Sequence, residues 1–185
     1  MDALEDWVLR GGIADVTMAE IAKRMGCSLR TLYGIAPSKD ELVLTILDRR
    51  LHRIGREAIQ ALESDESALV RLRAYLRATN LAVQPATAAF SRDFARFTGA
   101  RELNAAHADY VVAITHALLD EARAAGDIQT HQTAAVARVL GRLGHQFSAP
   151  LLQGLSEDED ESPANAIADL LIAGLQASPS SQPGF

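Results

Sequence analysis

Five residues in the first fifth of the chain combine hydrogen-bond donors, a cation and an apolar side chain at helix-start spacing. They are Thr17, Ser28, Leu29, Arg30 and Thr31. Ser28 is a natural N-cap, so the residues after it open a helix with unsatisfied N–H groups. Arg30 carries a planar fork of donors that matches the O6 and N7 acceptors of guanine. Thr31 can reach a base edge or a phosphate, and Leu29 can pack on a thymine methyl. Thr17 stands at another helix start, a site suited to anions. Together these groups suit contact with the groove and backbone of a duplex.

Such contacts need rigid support, and the stretch from Thr17 to Lys39 supplies the pattern for it. Ile21, Ala22 and Met25 recur at helical intervals. Gly26 then permits a turn that a side chain would strain. Cys27, Leu32 and Ile35 are expected to give the next helix its buried face. Thr17 with Glu20, and Ser38 with Glu41, read as capping boxes. Pro37 ends the middle helix and holds Ala36 in extended backbone. Two short helices around a tight turn form a helix-turn-helix, whose second helix enters a major groove.

The run Gly12, Thr17, Ile21-Ala22, Gly26-Cys27-Ser28, Thr31-Leu32-Tyr33, Ser38-Lys39 and Leu42 resembles the DNA-binding signature of the tetracycline-repressor (TetR) family. The resemblance covers about the first quarter of the chain in detail. It implies phosphate contacts from Tyr33 and Lys39. It also implies an inducer pocket in a second helical bundle and a long fourth helix linking the two parts. Family members usually carry Phe where Ala36 stands and His where Ile35 stands, and a basic arm before the first helix is missing here.

The 185 residues suffice for a small DNA-binding domain and one helical domain, and 48% hydrophobic content suffices for a core. The expected fold is all-α: a three-helix unit over residues 1–47, a six-helix bundle over 48–177, and a flexible tail over 178–185. A short first helix over 2–10 places Leu4, Trp7 and Val8 on one face. The fourth helix, 38–62, carries Arg49, Arg50, Arg53 and Arg56 on its outer side, read as a solvated face. Further helices are expected over 68–83, 85–97, 102–125, from 133 to a kink or end at Pro150, and 163–177, with Gly99 and Gly126 as stops. The acidic run from Ser156 to Ser162 reads as a solvated loop.

The net charge of −6 argues against a chain that coats nucleic acid all over. Residues 1–56 balance at +1 and the remainder at −7, so DNA contact must be confined to a local face. The single cysteine, Cys27, excludes an internal disulfide and fits a small buried slot. No apolar run reaches membrane length and no signal peptide is visible, so a cytoplasmic protein is expected. The histidines at 52, 107, 116, 131 and 145 lack zinc-site spacing. With no phosphate loop or nucleophile elbow either, neither enzyme activity nor a metal or other cofactor is expected.

In the second bundle, Phe90, Phe94 and Phe97 form one stripe and His107, Tyr110 and Ile114 another. They are the candidate lining of an apolar effector pocket, and plain core would use the same stripes. A homodimer is expected because one helix-turn-helix reads only a few base pairs. The small residues Ala134, Ala137, Gly141 and Gly144, with Leu170, Leu171 and Leu175, are its candidate surface. The overall expectation is a ligand-responsive regulator, most simply a repressor released from its double-stranded operator by a small apolar or amphipathic molecule. The competing reading is a helical protein-interaction module that has lost DNA binding.

Overall fold

In the computed structural model, residues 2–13, 15–81, 96–144 and 163–176 are described. Eight helices, and no strand, occur among them: α1 Asp2–Gly11, α2 Met18–Arg24, α3 Leu29–Ile35, α4 Lys39–Gln60, α5 Ala68–Leu81, α6 Thr98–Ala125, α7 Thr133–Leu140 and α8 Pro163–Gln176. The all-α expectation holds. The helix expected over 85–97 falls largely outside the described residues. The chain divides into two compact units, Met1–Gly55 with Pro85–His107, and Arg56–Gln84 with Ala108–Phe185.

The first unit is built on the apolar faces that the sequence spacing marks. Leu4, Val8 and Leu9 of α1, Ile21 and Ala22 of α2, Leu32 of α3, and Leu42, Val43, Ile46 and Leu47 of α4 share one core. Trp7, Met25 and Cys27 pack against it, partly buried. The arginine face of α4 is not simply solvated. Arg50 Nη1 and Arg53 Nη2 donate to Oε1 of the buried Glu5 at 3.3 and 2.5 Å, and Arg49 pairs with Asp2 at 2.8 Å. Burial lowers the Arg50 pKa, an effect that the adjacent Glu5 charge opposes. α4 turns these cations toward α1, which sequence spacing alone does not show.

Gly99 does not stop a helix; it lies within the first turn of α6, which begins at Thr98. A Cβ there would come within 3.1 Å of the Leu44 side chain, so the glycine permits close packing on α4. The C-terminus of α6 is as expected. Gly126 takes φ +83°, and the N–H groups of Gly126 and Asp127 donate to the carbonyls of Arg123 and Ala122.

In the second unit, Leu69, Leu72 and Leu76 of α5 meet Leu118, Leu119 and Ala122 of α6, Ala137 and Leu140 of α7, and Ala168 and Ile172 of α8. α7 is interrupted by a turn at Gly141 and Arg142, and helix resumes at Leu143; Pro150, where a kink or end is expected, lies outside the described residues. The small residues of this region serve the subunit's own packing. Ala137 is fully buried, a Cβ on Gly141 would lie 2.9 Å from Val112 Cα, and one on Gly144 would lie 2.4 Å from Asn80 Oδ1. Asn80 in turn donates to Asn165 at 2.8 Å inside the bundle. Of the small-residue set, Ala134 remains exposed.

Candidate nucleic-acid interface

Local hydrogen bonds set the angle between α2 and α3. Gly26 adopts φ +63°, and the Cys27 N–H donates back to the Ala22 carbonyl at 3.0 Å. The Gly26 N–H donates to the Lys23 carbonyl at 3.3 Å, completing a Schellman turn that closes α2 and launches α3. Ser28 Oγ accepts the Thr31 N–H at 3.0 Å and lies 2.7 Å from the Thr31 hydroxyl. Ala36, at φ −150° and ψ 133°, ends α3 in extended backbone before Pro37. Ser38 Oγ then accepts the Glu41 N–H at 3.1 Å to open α4.

α3 is held by few side chains. Leu32, 1% exposed, and Ala36 face the core one turn apart. Ile35, expected to be buried, is 42% exposed. It lies to one side of the Leu32–Ala36 line, and the Ala36 methyl takes the inward place. Tyr33 is 49% exposed, which removes core packing as its role. Leu29, Arg30 and Thr31 are also exposed, and Lys39 is half-buried at the start of α4. α3 carries no acidic residue. The structure therefore brings Leu29, Arg30, Thr31 and Tyr33 together on one accessible helix, as the spacing predicts.

Thr17 is committed to the chain itself. Its hydroxyl donates to Glu20 Oε2 at 2.7 Å and its N–H to the same oxygen at 2.8 Å, while the Glu20 N–H donates back to Thr17 Oγ1 at 3.3 Å. These bonds hold the Glu20 carboxyl below its usual pKa. The positive end of α2 thus faces a carboxylate of its own, which opposes use of Thr17 as an anion site. Sequence reasoning missed the Arg24 guanidinium, which lies 4.9 Å over the Trp7 ring. A tryptophan and an arginine seventeen positions apart carry no local signal of such a contact.

The expected pocket residues are not gathered in one place. Phe90 and Phe94 lie outside the described residues. Phe97 packs against the core of the first unit, and His107 is half-buried within that unit's part of the chain. Tyr110 is 46% exposed. Ile114 packs in the second unit beside Ala58, Tyr75 and Val111. The buried face of α6 runs through Val111, Thr115, Leu118 and Leu119, beside the His107–Tyr110–Ile114 stripe that spacing suggests. Two polar groups on the interior went unseen in the sequence. Tyr75 is buried, and desolvation, with Tyr110 nearby, pushes its phenol well above the usual value. The Thr115 hydroxyl is fully buried and has no hydrogen-bond partner among the described residues. Among the described residues, no group of acidic, His or Cys side chains could hold a metal, and no helix is long and apolar enough to cross a membrane.

A capped, two-helix turn presenting an exposed, acid-free second helix has the arrangement of a helix-turn-helix unit. Residues 2–46 match the sequence model of the bacterial regulatory proteins of the tetR family. A TetR-family regulator of Thermus thermophilus, PfmR, shares the fold with a TM-score of 0.73 at 19% identity, over 94% of this chain and 98% of that one. A transcriptional regulator of Rhodococcus sp. Rha1 gives 0.74 at 17%, over 96% of each chain. One from Cytophaga hutchinsonii gives 0.72 at 17%, over 95% and 96%. At these identities the likeness to the solved structures is one of fold. No curated protein matches the sequence. Residues 2–46 thus carry a DNA-binding segment of the tetR type, in a chain that shares its fold with TetR-family transcriptional regulators.

Proposed function

We propose that this protein is a cytoplasmic repressor that binds a two-fold operator as a homodimer and is released by a small, mostly apolar molecule. The observation that carries the DNA part is α3 itself. Its inward line is Leu32 and Ala36, and everything else it offers, Leu29, Arg30, Thr31 and Tyr33, is exposed. Arg30 reads a base, Leu29 and Thr31 contact the groove wall, and Tyr33 and Lys39 hold phosphates. Ser28 and Thr17 act as caps that orient α3 and α2.

Residues 1–47 serve DNA binding and 48–177 serve effector binding and pairing. Leu170 is 73% exposed on α8, with Leu171 and Gly174 also exposed. That apolar face supports pairing through α8, after the small residues near α7 have been used inside the subunit. Two subunits place two recognition helices about 34–36 Å apart, one turn of duplex. The effector site lies in the second unit. Ile114 stands there with the Tyr75 phenol and the unpartnered Thr115 hydroxyl, two polar groups in apolar surroundings. Effector binding favours a state with mis-spaced recognition helices, and DNA affinity falls accordingly.

Operator selection from random duplexes, followed by titrations at several salt concentrations, tests this reading. Arg30→Ala should cost about 1–3 kcal/mol per half-site and relax preference at one base pair. Lys39→Ala should weaken all sequences alike and reduce the salt slope by about 1 per subunit. If neither substitution changes binding, the chain is better described as a helical interaction module.

A further inference from the structure

We infer that Gly34 is a specificity-determining residue, whose missing side chain lets α3 approach DNA closely and leaves Arg30 uncovered to read its base. This rests on the DNA-binding role of α3 described above. Glycine within a helix is unfavourable relative to alanine, and α3 has only seven residues. Two other glycines of the same unit have a reason in the fold, while Gly55 of α4 shares the open surroundings of Gly34 but not its place on α3. Gly26 needs its positive φ, and Gly99 needs the space against Leu44. Gly34 has neither reason. Its φ is not positive, and a Cβ built on it would meet nothing within 4 Å.

The position of Gly34 on α3 points to what it serves. Leu32 and Ala36 mark the buried line of the helix. With 3.6 residues per turn, Arg30 and Gly34 fall together on the opposite, outermost line, one turn apart. Helical side chains lean toward the N-terminus, so any side chain at 34 would lie over the turn that carries Arg30. A bare backbone there keeps the guanidinium clear and lowers the helix toward base edges or sugar. Nothing in this chain's own packing restricts the position, so what distinguishes it is its place beside Arg30 on the face that meets DNA.

The test compares wild type, Gly34→Ala and Gly34→Leu for melting and for binding to the selected operator. Gly34→Ala should raise the melting midpoint by about 2–4 °C, because it improves the helix and clashes with nothing. The same variant should lose about tenfold or more in operator affinity, and Gly34→Leu should lose more still. Repeating the selection with each variant should return altered preference at the base pair read by Arg30. Unchanged affinity and unchanged selected sequence for Gly34→Ala would overturn the inference. So would a fall in its melting midpoint, since the fold itself would then require the glycine. Failure of wild type to select any duplex would remove the DNA-binding reading, and this inference with it.

Discussion

Replacing Glu5 by alanine strips the first unit of its buried carboxylate. Glu5 Oε1 receives Arg50 at 3.3 Å and Arg53 at 2.5 Å, and the side chains of Glu5 and Arg50 are only 3% and 11% exposed. The Arg53 side chain is 43% exposed, so its half of the cluster contributes no more than a partly screened surface pair, up to about 1 kcal/mol. Arg50 is different, because Glu5→Ala removes the carboxylate to which its buried guanidinium donates and leaves only the weaker attraction of Asp6. Breaking a buried pair from one side costs about 3–5 kcal/mol. With some relaxation of Arg50 toward water, a loss of about 3 kcal/mol is expected. The double variant Glu5→Leu/Arg50→Met removes both charges and should recover most of it. Trp7, the chain's single tryptophan, lies on the same helix and packs against the same core. Its fluorescence in a urea titration reports this unit directly. The reasoning fails if Glu5→Ala unfolds within about 0.5 kcal/mol of wild type, the range of an ordinary surface substitution. It fails equally if the double variant is as unstable as the single one.

Thr17→Ala should lower stability by about 1 kcal/mol at neutral pH through loss of the α2 cap. Because the Glu20 pKa is lowered on folding from its ordinary 4.5, the capping-box contribution is complete above that value and fades as pH falls through the lowered one. The gap between wild type and Thr17→Ala should therefore narrow in acid without closing, because the Glu20 N–H still donates to Thr17 Oγ1 in wild type; urea titrations at neutral pH and in acid below the lowered pKa would check this. Gly144→Ala should cost about 1–3 kcal/mol, since its Cβ would stand 2.4 Å from Asn80 Oδ1 and displace the buried Asn80–Asn165 bond. Unaltered thermal unfolding would contradict that packing. Leu170→Asp should yield monomers in sedimentation and lose operator affinity while leaving the melting of a dilute sample nearly unchanged. A variant that still sediments as a dimer would place pairing elsewhere.

The sequence determined those features whose causes lie within a few residues. The caps at Thr17, Ser28 and Ser38, the positive-φ turn at Gly26, the extended Ala36 before Pro37 and the Gly126 stop all depend on near neighbours. The two-helix turn and its exposed donors were legible for that reason. Tertiary structure decided which way each helix faces. Ile35 and Ala36 are adjacent, yet the rotation of α3 on its core buries the smaller one. The α4 arginines read as a solvated face because nothing local marks Glu5 as their partner, some 45 positions earlier. Gly99 and Gly141 read as a stop and a dimer surface. Their real neighbours, Leu44 and Val112, lie far off in sequence and come close only when helices pack. The Thr115 hydroxyl likewise became notable only once its surroundings were known to offer no partner. Periodicity tells that a helix has an inside, and only the packed neighbours say which residues occupy it.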